Sequence, residues 1–175
     1  MKKTLKLISL FLTPYLFVLF SQTALSQSLK PQDQYEIIES TKLNEIISSN
    51  QKQKKVIILY VSSPFCPYCK KLEEEILTPM LKSGDYTDKA LLRKFTIDSK
   101  QSITNFQGKS QYPKSLMNQY QVKVTPTLLF LDAKGNQLSE AIIGYSNDEF
   151  FWYYLDMAIE KSNQQLKKLA IGSAL

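Results

Sequence analysis

The position of the chain's two cysteines relative to its apolar patterning constrains the fold more than any other feature. Residues 56–61 form a continuous apolar run rich in β-branched side chains, which is typical of a strand buried on both faces. Cys66 and Cys69 follow, three residues apart, and open a segment whose apolar positions recur at helical spacing: Leu72, Ile76 and Met80. Pro67 suits the first helical position, where its missing N–H is not needed. The sequence therefore predicts a buried strand that leads directly into a helix beginning at or near Cys66.

The rest of the chain alternates between helical and strand patterns. We expect, in order, a helix over 32–50, a strand over 91–97, a loop or small hairpin over 99–113, a short helix over 114–120, and antiparallel strands over 127–131 and 138–143. Gly135 lies in the turn between the last two strands. Alternating units followed by a terminal hairpin predict an α/β fold in which a central mixed β-sheet is flanked by helices on both faces.

Two of the helices carry further expectations. Pro79 should kink or end the helix that follows Cys66, and Gly84 should close that segment. Ser146 should open the final helix, with Glu149 completing a capping box. The apolar face of the final helix is unusually aromatic and is expected to pack in the core: Phe150, Phe151, Tyr154, Leu155, Ala158 and Ile159. Regular structure should fade from about Ser162 onward.

The first residues are organised like an export signal. Met1-Lys2-Lys3 begins a positive region, an apolar stretch over 7–20 follows, and Ala24-Leu25-Ser26 stands in the place of a small-x-small cleavage site. The apolar stretch is short for a full membrane span of about 20 residues, which favours cleavage over an uncleaved anchor. The predicted division is a signal peptide over 1–26, a linker over 27–34, a domain over 35–163 and a polar tail over 164–175.

Half of the formal net positive charge of the chain comes from the predicted export signal. The formal net charge is +6, and removal of the three lysines of the predicted signal leaves +3. The densest remaining basic run has no interleaved aromatic residues: Lys52, Lys54 and Lys55. Such a run is typical of a solvated helix end and turn rather than of a nucleic-acid surface. We therefore expect no nucleic-acid partner.

The two cysteines and the complete absence of histidine narrow the chemistry. A structural zinc site usually takes four Cys or His ligands, and histidine-based general-base or triad chemistry is excluded. A purely structural disulfide is a weak explanation, because so short a loop restrains very little of the unfolded chain. Thiol–disulfide exchange remains the favoured chemistry, with an inert disulfide or a two-thiolate metal site as alternatives. The redox-active pair Cys66–Cys69 would need no further cofactor.

The predicted position of the pair assigns different roles to the two thiols. Cys66 would lie at a helix N-terminus, where unpaired backbone N–H groups and the helix dipole stabilise a thiolate. Cys69 would lie one turn further in and be more buried. We therefore expect Cys66 to attack a substrate disulfide and Cys69 to resolve the resulting mixed disulfide.

Motifs beyond the cysteine pair support a family resemblance. A strand, Cys66-Pro67-Tyr68-Cys69, a helix, and later Val124-Thr125-Pro126-Thr127 before a strand resemble the thioredoxin superfamily. The chain looks more narrowly like the exported SoxW-type thioredoxins over about 35–161, in motifs that include Phe106-Gln107-Gly108, Tyr120-Gln121-Val122, Phe130-Leu131-Asp132 with Gly135, Gly144-Tyr145 and Glu149-Phe150. The resemblance implies a thioredoxin fold and thiol–disulfide oxidoreductase activity.

The resemblance also implies a substrate-binding surface. Pro126 would follow a cis peptide bond and face the cysteines, so that the backbone at Thr125 can pair with an extended substrate, and Pro67 and Tyr68 would belong to the same surface. The chain departs from the usual thioredoxin pattern in having Phe65 where a tryptophan is typical and Pro67-Tyr68 between the cysteines, as in glutaredoxins. Many relatives also hold a buried acid six residues before the first cysteine.

That position is Tyr60 in this chain, so proton transfer to or from Cys69 requires another route, for which water or Glu73 is a candidate.

The favoured interpretation is a monomeric periplasmic reductase that acts on exported proteins or a sulfur-carrier protein and is recharged by a membrane electron donor of the DsbD/CcdA type. The alternatives are a Dsb-like disulfide oxidase or isomerase, a thiol metal-binding or chaperone module, and a catalytically silent adaptor.

Overall fold

The computed structural model describes residues 35–50, 54–97 and 100–172. The predicted signal peptide over 1–26, its cleavage site, the linker over 27–34 and Lys52 of the basic run all lie outside these residues. Within the described ranges, no helix combines the length and the apolar character needed to cross a membrane.

A four-stranded sheet organises the domain. The strands are β1 (Val56–Ser62), β2 (Ala90–Thr96), β5 (Thr127–Leu131) and β6 (Ile142–Ile143), in the spatial order β2-β1-β5-β6. β1 is parallel to β2 and antiparallel to β5, and β5 is antiparallel to β6. The predicted mixed sheet is confirmed, with the apolar run before the cysteines as one of its two central strands.

The side chains of β1 alternate between two separate cores, which explains why every residue of the strand is buried. Ile57, Leu59 and Val61 face a core that includes α1 (Leu43–Asn50) and α4 (Pro113–Gln119). Val56, Ile58 and Tyr60 face the other core, which includes the helices after the cysteines and the final helix. Helices therefore cover both faces of the sheet, as predicted.

The chain before α1 is extended rather than helical. We predicted a helix over 32–50, but it begins at Leu43. The backbone N–H of Ser40 donates to the carbonyl of Lys94, and the N–H of Lys94 donates to the carbonyl of Ile38, both at 2.9 Å. This parallel pairing along the open edge of β2 satisfies backbone groups that a helix would have paired locally, so tertiary context overrides the helical stripe.

The helix after the cysteines continues through Pro79. It comprises α2 (Pro67–Leu72), a π-helical segment (Glu73–Leu77) and α3 (Thr78–Ser83), and Gly84 closes it with a φ of +76°. Of the two predicted effects of Pro79, a kink or an end, the end is wrong, and the helical geometry changes just before the proline instead. The wider π turn changes the hydrogen-bonding register just before the proline, which then lies in the first turn of α3, where its missing N–H is tolerated. Leu72, Ile76 and Met80 are buried on one face as expected.

The second half of the chain follows the prediction as far as β5. The polar stretch contains a small hairpin of β3 (Ile103–Thr104) and β4 (Ser110–Gln111). β6, however, has only two residues, where a strand over 138–143 was expected. The segment between Leu138 and β6 leaves the sheet because Ser139 turns toward the final helix, where its Oγ donates to the carbonyl of Ala158 at 3.4 Å.

The final helix, α5 (Asp148–Gly172), differs from the prediction at both ends. It begins at Asp148, so Ser146 lies one residue too early to be its N-cap and the predicted capping box is not in register. It continues far beyond Ser162, which is fully buried and donates to Ser139 at 2.8 Å. The expected polar tail is thus helical through Gly172. The residues of the predicted apolar face differ in burial. Phe151, Leu155 and Ile159 are buried, whereas Phe150 and Tyr154 are exposed.

Candidate functional site

The cysteine pair lies where β1 passes into α2. The backbone N–H of Cys66 donates to the carbonyl of Ser63 at 3.2 Å, which closes the connecting turn. Cys66 is the N-cap of α2, with an extended backbone, and Pro67 takes the first helical position as predicted. The backbone N–H of Cys69 donates to the Sγ of Cys66 at 3.1 Å. The same N–H also lies 3.1 Å from the carbonyl of Cys66, so the first turn of the helix directs a backbone donor at both acceptors of the N-cap residue.

Cys66 and Cys69 are joined as a disulfide, with their Cα atoms 5.2 Å apart. This separation is ordinary for a disulfide and follows from one turn of helix between the residues. Cys66 is partly exposed, whereas Cys69 is 2% exposed and packs in the core that contains α2. A molecule approaching from solvent therefore meets the sulfur of Cys66 first.

The segment before β5 lies directly opposite the cysteines. The peptide bond between Thr125 and Pro126 is cis, in agreement with the family resemblance. The carbonyl oxygen of Thr125 is 3.4 Å from the Sγ of Cys66. The carbonyl of Pro126 accepts the N–H of Gly144 at 2.8 Å, which ties this segment to the chain after β6. The structure thus brings together four of the predicted site residues: Cys66, Cys69, Thr125 and Pro126.

Large apolar side chains lie exposed beside the pair in sequence. Phe65 is 89% exposed and Tyr68 is 58% exposed, and Val124, just before Thr125, is half exposed. Exposed aromatic residues of this kind make large contacts with a partner at low entropic cost. Phe65 and Val124 were not among the predicted site residues, although their positions next to Cys66 and Thr125 were visible in the sequence.

A polar cluster lies beneath the buried cysteine. The hydroxyl of Tyr60 is within hydrogen-bond distance of the carbonyl of Cys69, at 3.2 Å, and of the Glu73 carboxylate, at 2.9 Å. The same Oε1 of Glu73 accepts from the Nζ of Lys94 at 2.8 Å. Burial raises the pKa of Tyr60 well above its ordinary value; the hydroxyl of Ser62 opposes this shift, and the charge of Glu73 adds to it. Lys94 was missed by sequence reasoning because it reaches the site only through the pairing of β2 with β1.

The three consecutive glutamates of the helix have different surroundings. Glu73 turns inward to Tyr60, Glu74 makes an exposed ion pair with Lys70 at 3.7 Å, and Glu75 accepts a hydrogen bond from Tyr145. The side chain of Glu74 is 65% exposed, whereas that of Glu73 is 28% exposed. The π-helical segment that begins at Glu73 changes the angular spacing of these side chains relative to an α-helix.

No group of three or more His, Cys, Asp or Glu side chains that could hold a metal ion occurs among the residues the structure describes. The described part of the site offers two sulfur atoms already joined to each other. Its chemistry therefore rests on the making and breaking of sulfur–sulfur bonds.

A mixed sheet with helices on both faces, a dithiol pair at the start of a helix and a cis-proline opposite it together define a dithiol protein of thioredoxin type. Comparison with known families agrees: residues 43–159 match the thioredoxin-like domain family, so the chain belongs to that family.

Individual relatives are distant. The disulfide bond reductase DsbH of Chlamydia pneumoniae is 29% identical over 93 residues, which cover 52% of this chain and 54% of the relative, so the match spans about half of that protein. Among solved structures, spinach chloroplast thioredoxin f has a TM-score of 0.50 at 14% identity, with 74% of this chain and 96% of that one covered. A DsbH oxidoreductase structure has a TM-score of 0.49 at 19% identity, covering 74% and 89%. The spinach comparison supports the fold alone.

Proposed function

We propose that this protein is an exported thiol–disulfide oxidoreductase that reduces disulfides of exported proteins or of a sulfur-carrier protein. The observation that carries the proposal is the asymmetry of the pair. Cys66 is partly exposed at a helix N-terminus and accepts a backbone N–H, whereas Cys69 is buried one turn further on. Donors and the helix dipole stabilise a thiolate at Cys66, and only a thiolate is an effective nucleophile.

In the proposed reaction, the Cys66 thiolate attacks one sulfur of a substrate disulfide. That bond breaks, a mixed disulfide forms at Cys66, and the first substrate sulfur leaves as a thiolate that takes a proton from water. The Cys69 thiolate then attacks Cys66, forms the intramolecular disulfide and releases the second substrate thiolate. The substrate gains two electrons and two protons, and the protein is left oxidised with the pair as the structure shows it.

The substrate would lie across the surface that surrounds Cys66. The carbonyl of Thr125 lies beside the attacking sulfur, and Pro126 sets the direction of the chain at that point. Pro67 and the exposed ring of Tyr68 would form the opposite side of the same surface. An extended polypeptide segment fits this arrangement, because it can pair its backbone with that of Thr125 while its side chains contact the apolar rim.

Three parts of the proposal concern the setting of the reaction. Export is supported by the signal-like sequence over 1–26, and we propose the periplasm as its destination. The reducing direction is favoured by the similarity to a protein described as a disulfide bond reductase. A reductase in such a compartment needs a source of electrons, for which we propose a membrane donor of the DsbD/CcdA type. We also propose that the protein acts as a monomer.

The proposal is tested by trapping. The Cys69→Ser variant retains the attacking sulfur and lacks the resolving one, so it should accumulate substrates as mixed disulfides that mass spectrometry can identify. The Cys66→Ser variant is the matched control and should accumulate few. The unaltered protein should reduce insulin, and both variants should lose multiple turnover. Equal accumulation on the two variants, or no insulin reduction by the unaltered protein, would contradict the proposal.

A Dsb-like oxidase or isomerase remains the second candidate, since Pro67-Tyr68 between the cysteines departs from the usual thioredoxin motif. The reduction potential separates the two. A value near that of thioredoxin, about −270 mV, supports the reductase, and one near that of DsbA, about −120 mV, supports the oxidase.

A further inference from the structure

The cluster beneath Cys69 contains one hydroxyl shared by two acceptors. Tyr60 is fully buried and has a single proton, which it can donate either to the carbonyl of Cys69 or to the carboxylate of Glu73. The carbonyl of Cys69 also accepts the backbone N–H of Glu73, so it remains satisfied when Tyr60 donates to the carboxylate. The carboxylate, being charged, is the stronger acceptor. Tyr60 therefore holds the charge of Glu73 next to the resolving cysteine.

Lys94 balances that charge. Its Nζ lies 2.8 Å from Glu73 and 5.9 Å from the centre of the Tyr60 ring, and its side chain is 25% exposed. A charge pair that is largely withdrawn from water acts on its surroundings more strongly than an exposed pair does. Glu73 and Lys94 have opposite effects on a nearby thiol, because a negative charge disfavours the thiolate and a positive charge favours it.

The cluster also has a connection to solvent. Glu73 and Lys94 line a cavity of about 500 Å³ next to the extended segment before α1. The other titratable groups of this lining are Tyr35, Glu36 and Glu39, all on that segment and all exposed. Because these three are exposed, their influence is screened by water and salt. Tyr60 and Glu73 contact Cys69 through its backbone carbonyl, and Lys94 joins them through the Glu73 carboxylate.

We propose that Glu73 and Lys94, held by Tyr60, are positioning residues that govern the protonation of the Cys69 thiol. This inference rests on the proposed function, in which Cys69 must become a thiolate before it can resolve the mixed disulfide. In that step Cys69 loses its proton to water, its sulfur bonds to Cys66, and the substrate sulfur leaves with the electron pair of the broken bond. The balance of the two charges then sets the pH range in which resolution proceeds.

The inference is tested on a single thiol. In a Cys66→Ser background Cys69 is the only cysteine, and its titration is followed by the ultraviolet absorbance of the thiolate. We expect Glu73→Gln to increase the acid dissociation constant of Cys69 about three- to tenfold, since Lys94 is then unbalanced, and Lys94→Gln to decrease it by a similar factor. Glu74→Gln is the matched control: it removes the same charge from the next position, where the pair with Lys70 is exposed, and should leave the constant unchanged.

Opposite shifts are the decisive result, because a general loosening of the site would move both variants in the same direction. Shifts of the same sign, or no shift with Glu73→Gln, overturn the inference. In a Tyr60→Phe background the effect of Glu73→Gln should fall to less than half, and an undiminished effect removes Tyr60 from the proposal. Circular dichroism checks that each variant is folded.

The titration does not depend on turnover, so it separates this inference from the proposed function. If the unaltered protein fails to reduce insulin while the opposite shifts are observed, the proposed function fails and the cluster's control of the thiol stands. If insulin is reduced and the shifts are absent, the proposed function stands and the cluster's control of the Cys69 thiol fails.

Discussion

The Sγ of Cys66 and the carbonyl oxygen of Thr125 lie 3.4 Å apart, although 59 positions separate the two residues in the chain. The contact joins the start of α2 to the segment before β5, and it leaves the exposed rings of Phe65 and Tyr68 on the rim of the same surface. Under the proposed function, a polypeptide bound at this sulfur would contact both the backbone of Thr125 and the apolar rim, whereas a small disulfide would reach the sulfur alone.

Loss of the rim should weaken recognition of polypeptides. We expect Tyr68→Ala to lower kcat/KM for a protein disulfide about five- to tenfold, equivalent to roughly 1 kcal/mol of contact energy, with little change for a small disulfide that cannot reach the ring. Tyr153→Ala removes a ring that is 63% exposed in the second turn of α5 and serves as the control. An equal loss for both substrates would show that Tyr68 acts on the cysteines rather than on the bound chain.

Gly135 should be intolerant of any side chain. Its φ is +83°, and a Cβ built there would lie 2.6 Å from the ring of Phe106. We expect Gly135→Ala to lower the free energy of unfolding by about 2–4 kcal/mol, from left-handed strain together with overpacking.

Gly108 provides the comparison for that measurement. Its φ is +76°, and an added Cβ there meets no atom within 4 Å. Gly108→Ala should therefore cost only the backbone strain, about 1 kcal/mol. Urea unfolding measures both variants, and equal losses would mean that the contact with Phe106 relaxes freely.

The buried hydroxyl pair should couple α5 to the segment before β6. Ser162 donates to Ser139 at 2.8 Å, and both side chains are buried. In a double-mutant cycle of Ser139→Ala and Ser162→Ala, the interaction energy from urea unfolding should be about 0.5–1.5 kcal/mol. A value of zero would mean that α5 is not docked at Ser162.

Tyr120 should make stability depend on alkaline pH. Burial, with the added charge of Asp132, raises the pKa of Tyr120 to about 12, above its ordinary value of 10.0. The unfolded chain then loses this proton first, so the stabilising contribution is complete below pH 10 and is lost as the pH rises from about 10 to about 12.

Tyr120→Phe tests this directly, because it removes the hydroxyl that loses the proton. It also removes the hydrogen bond that this hydroxyl donates to the carbonyl of Gly135 at 2.6 Å. The variant should be less stable at neutral pH, and its stability should decline less steeply than that of the unaltered protein above pH 10. Parallel curves of unfolding free energy against pH would contradict the assignment.

The central strand and the cysteine helix could be predicted because local signals agree there. The apolar run before the cysteines, Pro67 at the first helical position and Gly135 in a turn each specify one structure. Their combination was enough to place Cys66 at the exposed end of the helix and Cys69 in the core.

The errors occurred where distant parts of the chain compete with local preference. The residues before α1 have an approximate helical stripe, yet they pair with the open edge of β2 through Lys94. Ser139 draws its neighbours out of a strand pattern by bonding to α5. The omission of Lys94 from the predicted site has the same origin, because Lys94 reaches Glu73 only through the pairing of β2 with β1.

The pairing of the chain before α1 with β2 also affects how copies of the protein meet. That edge of the four-stranded sheet is partly occupied by backbone from the same chain, and at the other edge β6 has only two residues. Among the described residues, the sheet therefore offers little uninterrupted free edge onto which a neighbouring molecule could add a strand. A concentrated solution of the folded protein should accordingly resist self-association through its sheet.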